Sequence, residues 1–375
     1  MSNMCKKKIY ILIFLCLIGF ICNNKQCYAA TGESKQNYSR KIKLCLERQG
    51  INGEVLILNK DKKINIINNQ SNQMKSEERV SYNNYFPIAS LQKVLTGTAT
   101  YELIKEGKIK LNTPINNYFY KTKKSHRITV KDLLSHRSGI QDATKLPSRV
   151  LFSEDQRFKF VENNFRVENN KDWHYSSSNY GLLAEIIKKK TGDTYYDYLN
   201  RKILVPSHLT NIKNFNDIIN INRITLPCEM YNNKVSKVES ILQFVSYLRP
   251  IPFSFLGYSF SYYCFMRWLS GNFGAGDMLA TPKSYWNFIY KYIFVNKNYI
   301  NFCYKKSKQL SPHYFGGWYF NKDYVYAEGL TANYNACSFK ANRDQKKLIM
   351  IFTNNTNYLQ FKELKEKLYN IYFEK

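Results

Sequence analysis

The stretch Phe86-Pro87-Ile88-Ala89-Ser90-Leu91-Gln92-Lys93-Val94-Leu95-Thr96-Gly97 decides how the rest of the chain is read. Its apolar residues, continued by Ala99, Leu103 and Ile104, recur at helical spacing. The spacing predicts a helix from about Ser90 to Lys105, stopped at Gly107. Residues three apart on a helix share a face, about 5–6 Å from each other. Ser90 and Lys93 therefore bring an amine beside a hydroxyl. Serine is a weak nucleophile at neutral pH, and a neighbouring amine of depressed pKa can take its proton. The first helical turn also aims backbone N–H groups at the place where an oxyanion would form. A lone Ser-x-x-Lys arises by chance about once in a Lys-rich chain of this length, so its weight comes from its surroundings.

Upstream, residues 40–49 read as a short helix with Ile42, Cys45 and Leu46 on one side. Residues 53–58 and 63–67 read as a hairpin turned by Asn59-Lys60-Asp61-Lys62, and 70–84 as a polar loop. Downstream, 108–115 reads as an extended piece. Within 128–140, Thr129 is the N-cap of a helix, Asp132 its partner and Gly139 the stop. Residues 153–170 are partly helical, and helices are expected at 180–190, 195–204 and 282–294. The aromatic run 251–270 reads as a flap over the cleft or as a surface that meets membrane or substrate. Strands follow at 314–320, 323–328, 333–340 and 347–353, then a helix at 359–372. The ends look like sheet plus helices and the middle like a mostly helical insertion.

The chain has 375 residues, 44% of them hydrophobic, enough for a large buried core. Lys+Arg 56 against Asp+Glu 28 gives +28, spread along the chain without a basic block. No nucleic-acid motif accompanies that charge, which fits an anionic surface such as a cell wall, or a plain compositional bias. Residues 1–30 read as an export signal: Lys6, Lys7 and Lys8, an uncharged apolar run, then Ala29-Ala30 for cleavage. The expected place is therefore secreted or extracytoplasmic, at the cell envelope. Four of 9 cysteines lie in that segment; Cys45, Cys228, Cys264, Cys303 and Cys337 remain, an odd set without metal-ligand spacing. The 5 histidines form no metal motif either, so neither a metal nor a cofactor is expected.

Five segments resemble, in order, the motifs of the serine β-lactamase and penicillin-binding protein superfamily, in its class C-like branch with D-Ala-D-Ala carboxypeptidases and related esterases. They are Ala89-Ser90-Leu91-Gln92-Lys93; Leu103 through Leu111; Ile128-Thr129-Val130 through Leu134-Ser135-His136-Arg137-Ser138-Gly139-Ile140; Tyr175-Ser176-Ser177-Ser178-Asn179-Tyr180; and Gly274-Ala275-Gly276-Asp277-Met278 through Pro282. The resemblance implies an α+β, β-lactamase/DD-peptidase-like fold. An antiparallel sheet flanked by the terminal helices (about 36–110 and 282–375) carries a mostly helical lobe (about 111–281), with 31–375 as one hydrolase domain.

It also implies roles: Ser90 as nucleophile, Lys93 as its activator and Tyr175 as the second acid/base group, with the oxyanion held by the N–H groups of Ser90 and Leu330. A phenol titrates near 10, and a neighbouring ammonium favours its anion. His136 and Ser138 are read as a structural helix end rather than triad members. Two positions depart from the pattern. Ser177 stands where the branch has Asn, a hydroxyl in place of an amide. In the third motif, Tyr326-Ala327-Glu328-Gly329-Leu330, Gly329 fits, but Ala327 occupies the place of a Lys or His. A methyl cannot bind a substrate carboxylate; Glu328 next to it should point to the other face of the strand. The expected activity is acyl-enzyme hydrolysis of D-alanyl amides or esters of the envelope, on cell-wall peptide or a D-alanylated polymer. The alternative is a catalytically impaired protein of the same fold that binds wall polymer.

Overall fold

The computed structural model describes residues 38–59, 61–70, 79–119, 125–142, 145–221, 224–225, 228–231, 234–237, 260–331 and 335–373. The expected signal, residues 251–259 of the aromatic run, and Asn333-Tyr334 after the third motif lie outside the described residues.

The chain opens with α1 (Tyr38–Arg48), whose Ile42 and Leu46 are buried, and the hairpin β1 (Gly53–Leu58) and β2 (Ile64–Asn69). After β3 (Phe86–Pro87), one tight turn (Ala89–Leu91) leads into α2 (Gln92–Lys105). Then come α3 (Val130–Leu134), β4 (Ile140–Asp142), α4 (Glu154–Asn163), β5 (Phe165–Val167), α5 (Ser178–Thr191) and α6 (Tyr195–Leu199). They are followed by β6 (Ile212–Lys213), β7 (Cys228–Tyr231), β8 (Lys234–Lys237), α7 (Phe260–Ser270) and β9 (Leu279–Ala280). Next are α8 (Pro282–Tyr290) and α9 (Asn298–Ser307). The C-terminal part holds β10 (Tyr314–Phe315), β11 (Trp318–Phe320), β12 (Tyr324–Thr331), β13 (Asn335–Asn342), β14 (Lys347–Thr353) and α10 (Tyr358–Phe373).

Seven strands form an antiparallel sheet in the order β10-β11-β12-β13-β14-β1-β2. Strands from the two ends of the described chain pair beside the β2 edge, where Val55 of β1 faces Ile351 of β14 and Ile57 faces Ile349. Every residue of β1 is buried, which is why it reads as a nearly unbroken apolar run rather than an alternating one. Helix α10 buries Phe361, Leu364 and Leu368, and its Tyr369 donates to Ser338 Oγ of β13 at 2.9 Å. Mixed helices around an antiparallel sheet give the α+β, β-lactamase-like architecture the motifs imply. Residues Ile42–Lys375 form one compact unit. No helix among the described residues is long and apolar enough to cross a membrane.

The Thr129 cap forms as read: its hydroxyl accepts the Asp132 N–H, and the Asp132 carboxylate accepts the Thr129 N–H. Three expectations are corrected. The strand expected over 314–320 breaks in two at Gly316 and Gly317, with φ of +64° and +93°. A Cβ on Gly317 would lie 2.6 Å from Val94 N and 2.7 Å from Lys93 C, so the turn presses on the backbone of α2. Residues 108–115 form turns with one bridge, Pro114 to Thr129, instead of an extended strand. The helix that Thr129 caps ends at Leu134 with Ser135 as its C-cap, short of the stop expected at Gly139. Helices 195–204 and 282–294 form as read, each finishing in a wider helical turn, at Asn200–Leu204 and Lys291–Val295.

Candidate active site

The site starts from a backbone constraint. Ala89 is left-handed, φ +45°, a conformation that costs a non-glycine residue about 1–3 kcal/mol and marks sites held by their surroundings. What holds it is close packing. Ile88 N–H bonds to Met278 O at 3.2 Å, and β12 crosses directly behind. At Gly329 a Cβ would lie 2.5 Å from Ile88 O and 3.0 Å from Ser90 N. Only glycine lets the strand come that near, which is the physical content of the glycine in the third motif.

Ser90 is thereby presented at the head of α2, one turn from Lys93. Lys93 is 1% exposed, and its Nζ lies 3.0 Å from Ser90 Oγ, 3.0 Å from Ala275 O and 3.4 Å from Ser177 Oγ. Tyr175 meets it through the ring: Nζ stands over the phenol 4.9 Å from the centroid. The two groups are neighbours, as the motif roles imply, and the contact is with the ring face. Ser90, Lys93 and Tyr175 line one cavity of about 290 Å³, together with Tyr314, Gly317, Tyr319, Ala327, Glu328 and Leu330. The structure thus brings Ser90, Lys93, Tyr175 and Leu330 to one space, with Gly329 pressed on its floor and Ser177 touching the lysine from the side.

Ser177 does more than stand in for an amide. Its N–H and that of Ser178 donate to the Asp142 carboxylate, at 2.6 and 3.1 Å, and the Ser176 hydroxyl adds a third bond at 2.7 Å. Asp142, at the end of β4, fixes the turn that carries Tyr175 and opens α5 by satisfying donors at the helix start. Asn179 does not replace the missing amide. Its Oδ1 accepts from Ser138 Oγ at 2.6 Å and its Nδ2 faces His136 Nδ1 at 2.9 Å, away from Lys93.

The loop that carries the Ala275 carbonyl is anchored by a buried ion pair. Asp277 is fully buried; it accepts from Gln92 Nε2 at 2.7 Å, Gly274 N–H at 3.2 Å and the Tyr196 hydroxyl, with Arg157 Nη1 at 3.7 Å. Burial raises its carboxyl above the usual range, and the Arg157 charge opposes that. Gln92, between Leu91 and Lys93, thus locks α2 to the 271–281 loop, and its Oε1 accepts the Met278 N–H at 2.9 Å. Sequence reasoning quoted Gln92 and Asp277 without a role and passed over Asp142 and Arg157; Asp142 follows the 128–140 motif by two residues, which is the signal that was there.

The opposite wall is apolar. Ala327 is 3% exposed and contributes a methyl. Glu328 turns to the other side of β12, where Lys365 of α10 pairs with it, as strand alternation requires. Tyr314 and Tyr319 pack edge to face at 4.7 Å, and Tyr319 stacks on Tyr326 at 5.2 Å. Burial holds the Tyr314 and Tyr319 hydroxyls above the ordinary phenol range, so both stay neutral. His136 is fully buried, and burial, then the Lys93 charge, push it well below the ordinary histidine value.

The arrangement offers a hydroxyl beside an amine, a phenol ring against that amine, and backbone N–H groups at the nucleophile. Such a set is suited to acyl transfer. In comparisons, the chain is similar to Protein flp of Staphylococcus aureus (strain N315), 26% identical over 193 residues, covering 48% of this chain and 38% of that protein. It is 33% identical over 128 residues to the Teichoic acid D-alanine hydrolase of Staphylococcus aureus, covering 34% and 32%. The chain spans less than half the length of these curated relatives. In fold it is similar to the crystal structure of FmtA from Staphylococcus aureus, with a TM-score of 0.69, 21% identity and coverage of 91% and 88%. The Beta-lactamase family model matches residues 39–321, a stretch that includes Ser90, Lys93, Tyr175 and the loop of Asp277. The chain belongs to the Beta-lactamase family, within the serine β-lactamase and penicillin-binding protein superfamily.

Proposed function

We propose that the chain is an exported serine hydrolase that acts through an acyl-enzyme on D-alanyl esters or amides of the cell envelope. The observation that carries this is the buried Lys93 amine 3.0 Å from Ser90 Oγ in a cavity shared with Tyr175. Lys93 takes the Ser90 proton while Oγ attacks the substrate carbonyl. The Ser90 and Leu330 N–H groups receive the oxyanion. The proton then passes, with Tyr175 as relay, to the departing oxygen or nitrogen, leaving an ester on Ser90. Water adds to that ester, giving up a proton to the same pair, and Ser90 leaves with it.

The substrate class follows from the other wall. Ala327 offers no cation, and Glu328 is engaged by Lys365, so a free carboxylate on the leaving side finds no partner. An ester or amide without one fits better than a D-Ala-D-Ala terminus or a β-lactam. The 33% identity to a protein named Teichoic acid D-alanine hydrolase supports the D-alanyl class, and the +28 charge suits an anionic polymer. The same two residues, Ser177 and Ala327, favour a second reading: a catalytically impaired relative that retains the fold to bind wall polymer.

Labelling with a fluorescent fluorophosphonate, with Ser90→Ala as control, separates the two. The hydrolase reading expects label on Ser90 and faster turnover of a D-alanyl ester than of a D-Ala-D-Ala peptide. No label, or a clear preference for the carboxylated peptide, contradicts it.

A further inference from the structure

We propose that His136 is a positioning residue for Tyr175: a neutral imidazole whose Nδ1 holds the 175–177 turn and whose ring backs the Tyr175 phenol. The inference rests on the reading of Tyr175 as the second acid/base group.

His136 follows the end of α3 with a φ of +55° and is fully buried. It tethers the neighbouring strand of chain twice. Its carbonyl accepts the His174 N–H at 2.9 Å, and its Nδ1 accepts the Ser176 N–H at 3.3 Å. Its ring lies 4.5 Å from that of Tyr175, 4.7 Å from Tyr314 and 5.3 Å from Tyr180. The same Tyr175 ring carries Lys93 Nζ over its face at 4.9 Å. Tyr175 is thus fixed by its own backbone and by an aromatic neighbour.

The hydrogen bonds define the tautomer. A backbone N–H can only donate, so Nδ1 is an acceptor and the ring proton is on Nε2. Asn179 must then present its Nδ2 to Nδ1, at 2.9 Å, and its Oδ1 to the Ser138 hydroxyl, at 2.6 Å. Ser138 Oγ in turn accepts the Ile140 N–H at 3.1 Å. Every proton in this chain runs one way, and flipping Asn179 breaks it. The Nε2 atom is buried with no partner among the described residues. The titratable groups that face the ring are Lys93 from α2, His174 and Tyr175 from the loop, Tyr180 from α5 and Tyr314 from β10; none is a carboxylate. A second proton, on Nδ1, would meet two donors, the Ser176 N–H and Asn179 Nδ2.

Two measurements test this on the full chain. Nitrogen NMR of labelled protein should show His136 as one neutral Nε2–H tautomer from about pH 5 to about pH 8. An Nδ1–H tautomer, or titration near the ordinary histidine value, overturns the proposal. For the catalytic consequence, His136→Phe keeps a ring and removes the acceptor, whereas His136→Asn tolerates positive φ and restores an acceptor near Nδ1. With a D-alanyl ester, kcat should fall about 100-fold in His136→Phe with KM within about threefold, as for a displaced catalytic group. His136→Asn, melting within a few degrees of wild type, should recover about tenfold of that loss. Wild-type kcat in His136→Phe overturns this role alone; failure of the wild-type chain to label at Ser90 overturns the hydrolase reading and this role with it.

Discussion

The two walls of the Ser90 cavity are built on different principles. One, from α2, the 175–178 turn and the 271–281 loop, is polar and buried, and its hydrogen bonds close on one another. Lys93, Gln92, Asp142, Asp277 and Asn179 each satisfy a group in a neighbouring segment. The other, from β10 to β12, offers tyrosine rings, one glycine, a methyl and Leu330. In the proposed reaction, proton transfer depends on the first wall and substrate recognition on the second. The comparison teaches that the two differ in how far they match the motifs: the first has the groups the family motifs call for apart from Ser177, while the second carries a methyl at 327 where the motif has a cation.

That contrast can be broken at several points, the strongest first. Lys93→Met removes the base and should lower kcat/KM for a D-alanyl ester about 10³–10⁴-fold, read in steady-state kinetics. A loss under tenfold would place the base elsewhere. Gly329→Ala probes the place where the walls touch. Its Cβ would meet Ile88 O at 2.5 Å, so the Ser90 turn must shift, and a loss of about 10²-fold is expected, as for a lost oxyanion donor. Near-wild-type activity in that variant would mean that β12 is free to move away from Ser90.

A third test lies outside both walls and separates titration of the fold from titration of the site. Glu54 of β1 is 2% exposed; Oε2 accepts the Tyr82 N–H at 3.0 Å and Oε1 has no partner among the described residues. Burial, opposed by that one bond, pushes its carboxyl up from 4.5 to about 7. The folded chain therefore keeps a proton that the unfolded chain gives up. This contribution is full at pH below about 4.5 and lost as pH rises through about 7, about 3 kcal/mol in all. Denaturant midpoints of Glu54→Gln should show that slope removed, with the pH profile of kcat unchanged. A slope equal to wild type would show that Glu54 titrates normally. The smallest effect is expected at the recognition wall: Ala327→Lys should raise turnover of a D-Ala-D-Ala peptide about tenfold, one charge-assisted contact. No gain would show that more than the cation separates this wall from a carboxylate site.

Much of the first wall was legible in the sequence because it is local. Ser90 and Lys93 are three residues apart, on a tight turn and the helix it opens, and the Thr129–Asp132 cap is a three-residue pattern. The third motif was legible at Gly329, where close approach demands glycine, and at Ala327, where the side chain is simply short. What the sequence did not show is long-range. Asp142 reaches Ser177 across 35 positions, and Gln92 reaches Asp277 across 185. No periodicity encodes such pairs. His136 was read as a helix end, which it is; its contact with Tyr175 arises only when α3 and the 172–178 segment pack together. The 314–320 strand was misjudged because alternation continues across Gly316-Gly317, whereas the backbone there must turn to clear α2.

The central claim is that Ser90 is a nucleophile activated by Lys93, and trapping the covalent intermediate tests it most directly. A D-alanyl aryl ester mixed with the protein, quenched in acid and measured by intact and peptide mass spectrometry should leave one D-alanyl group on Ser90. The adduct should be absent in Ser90→Ala and strongly slowed in Lys93→Met. An adduct on another residue, or ester hydrolysis that persists undiminished in Ser90→Ala, would contradict the account.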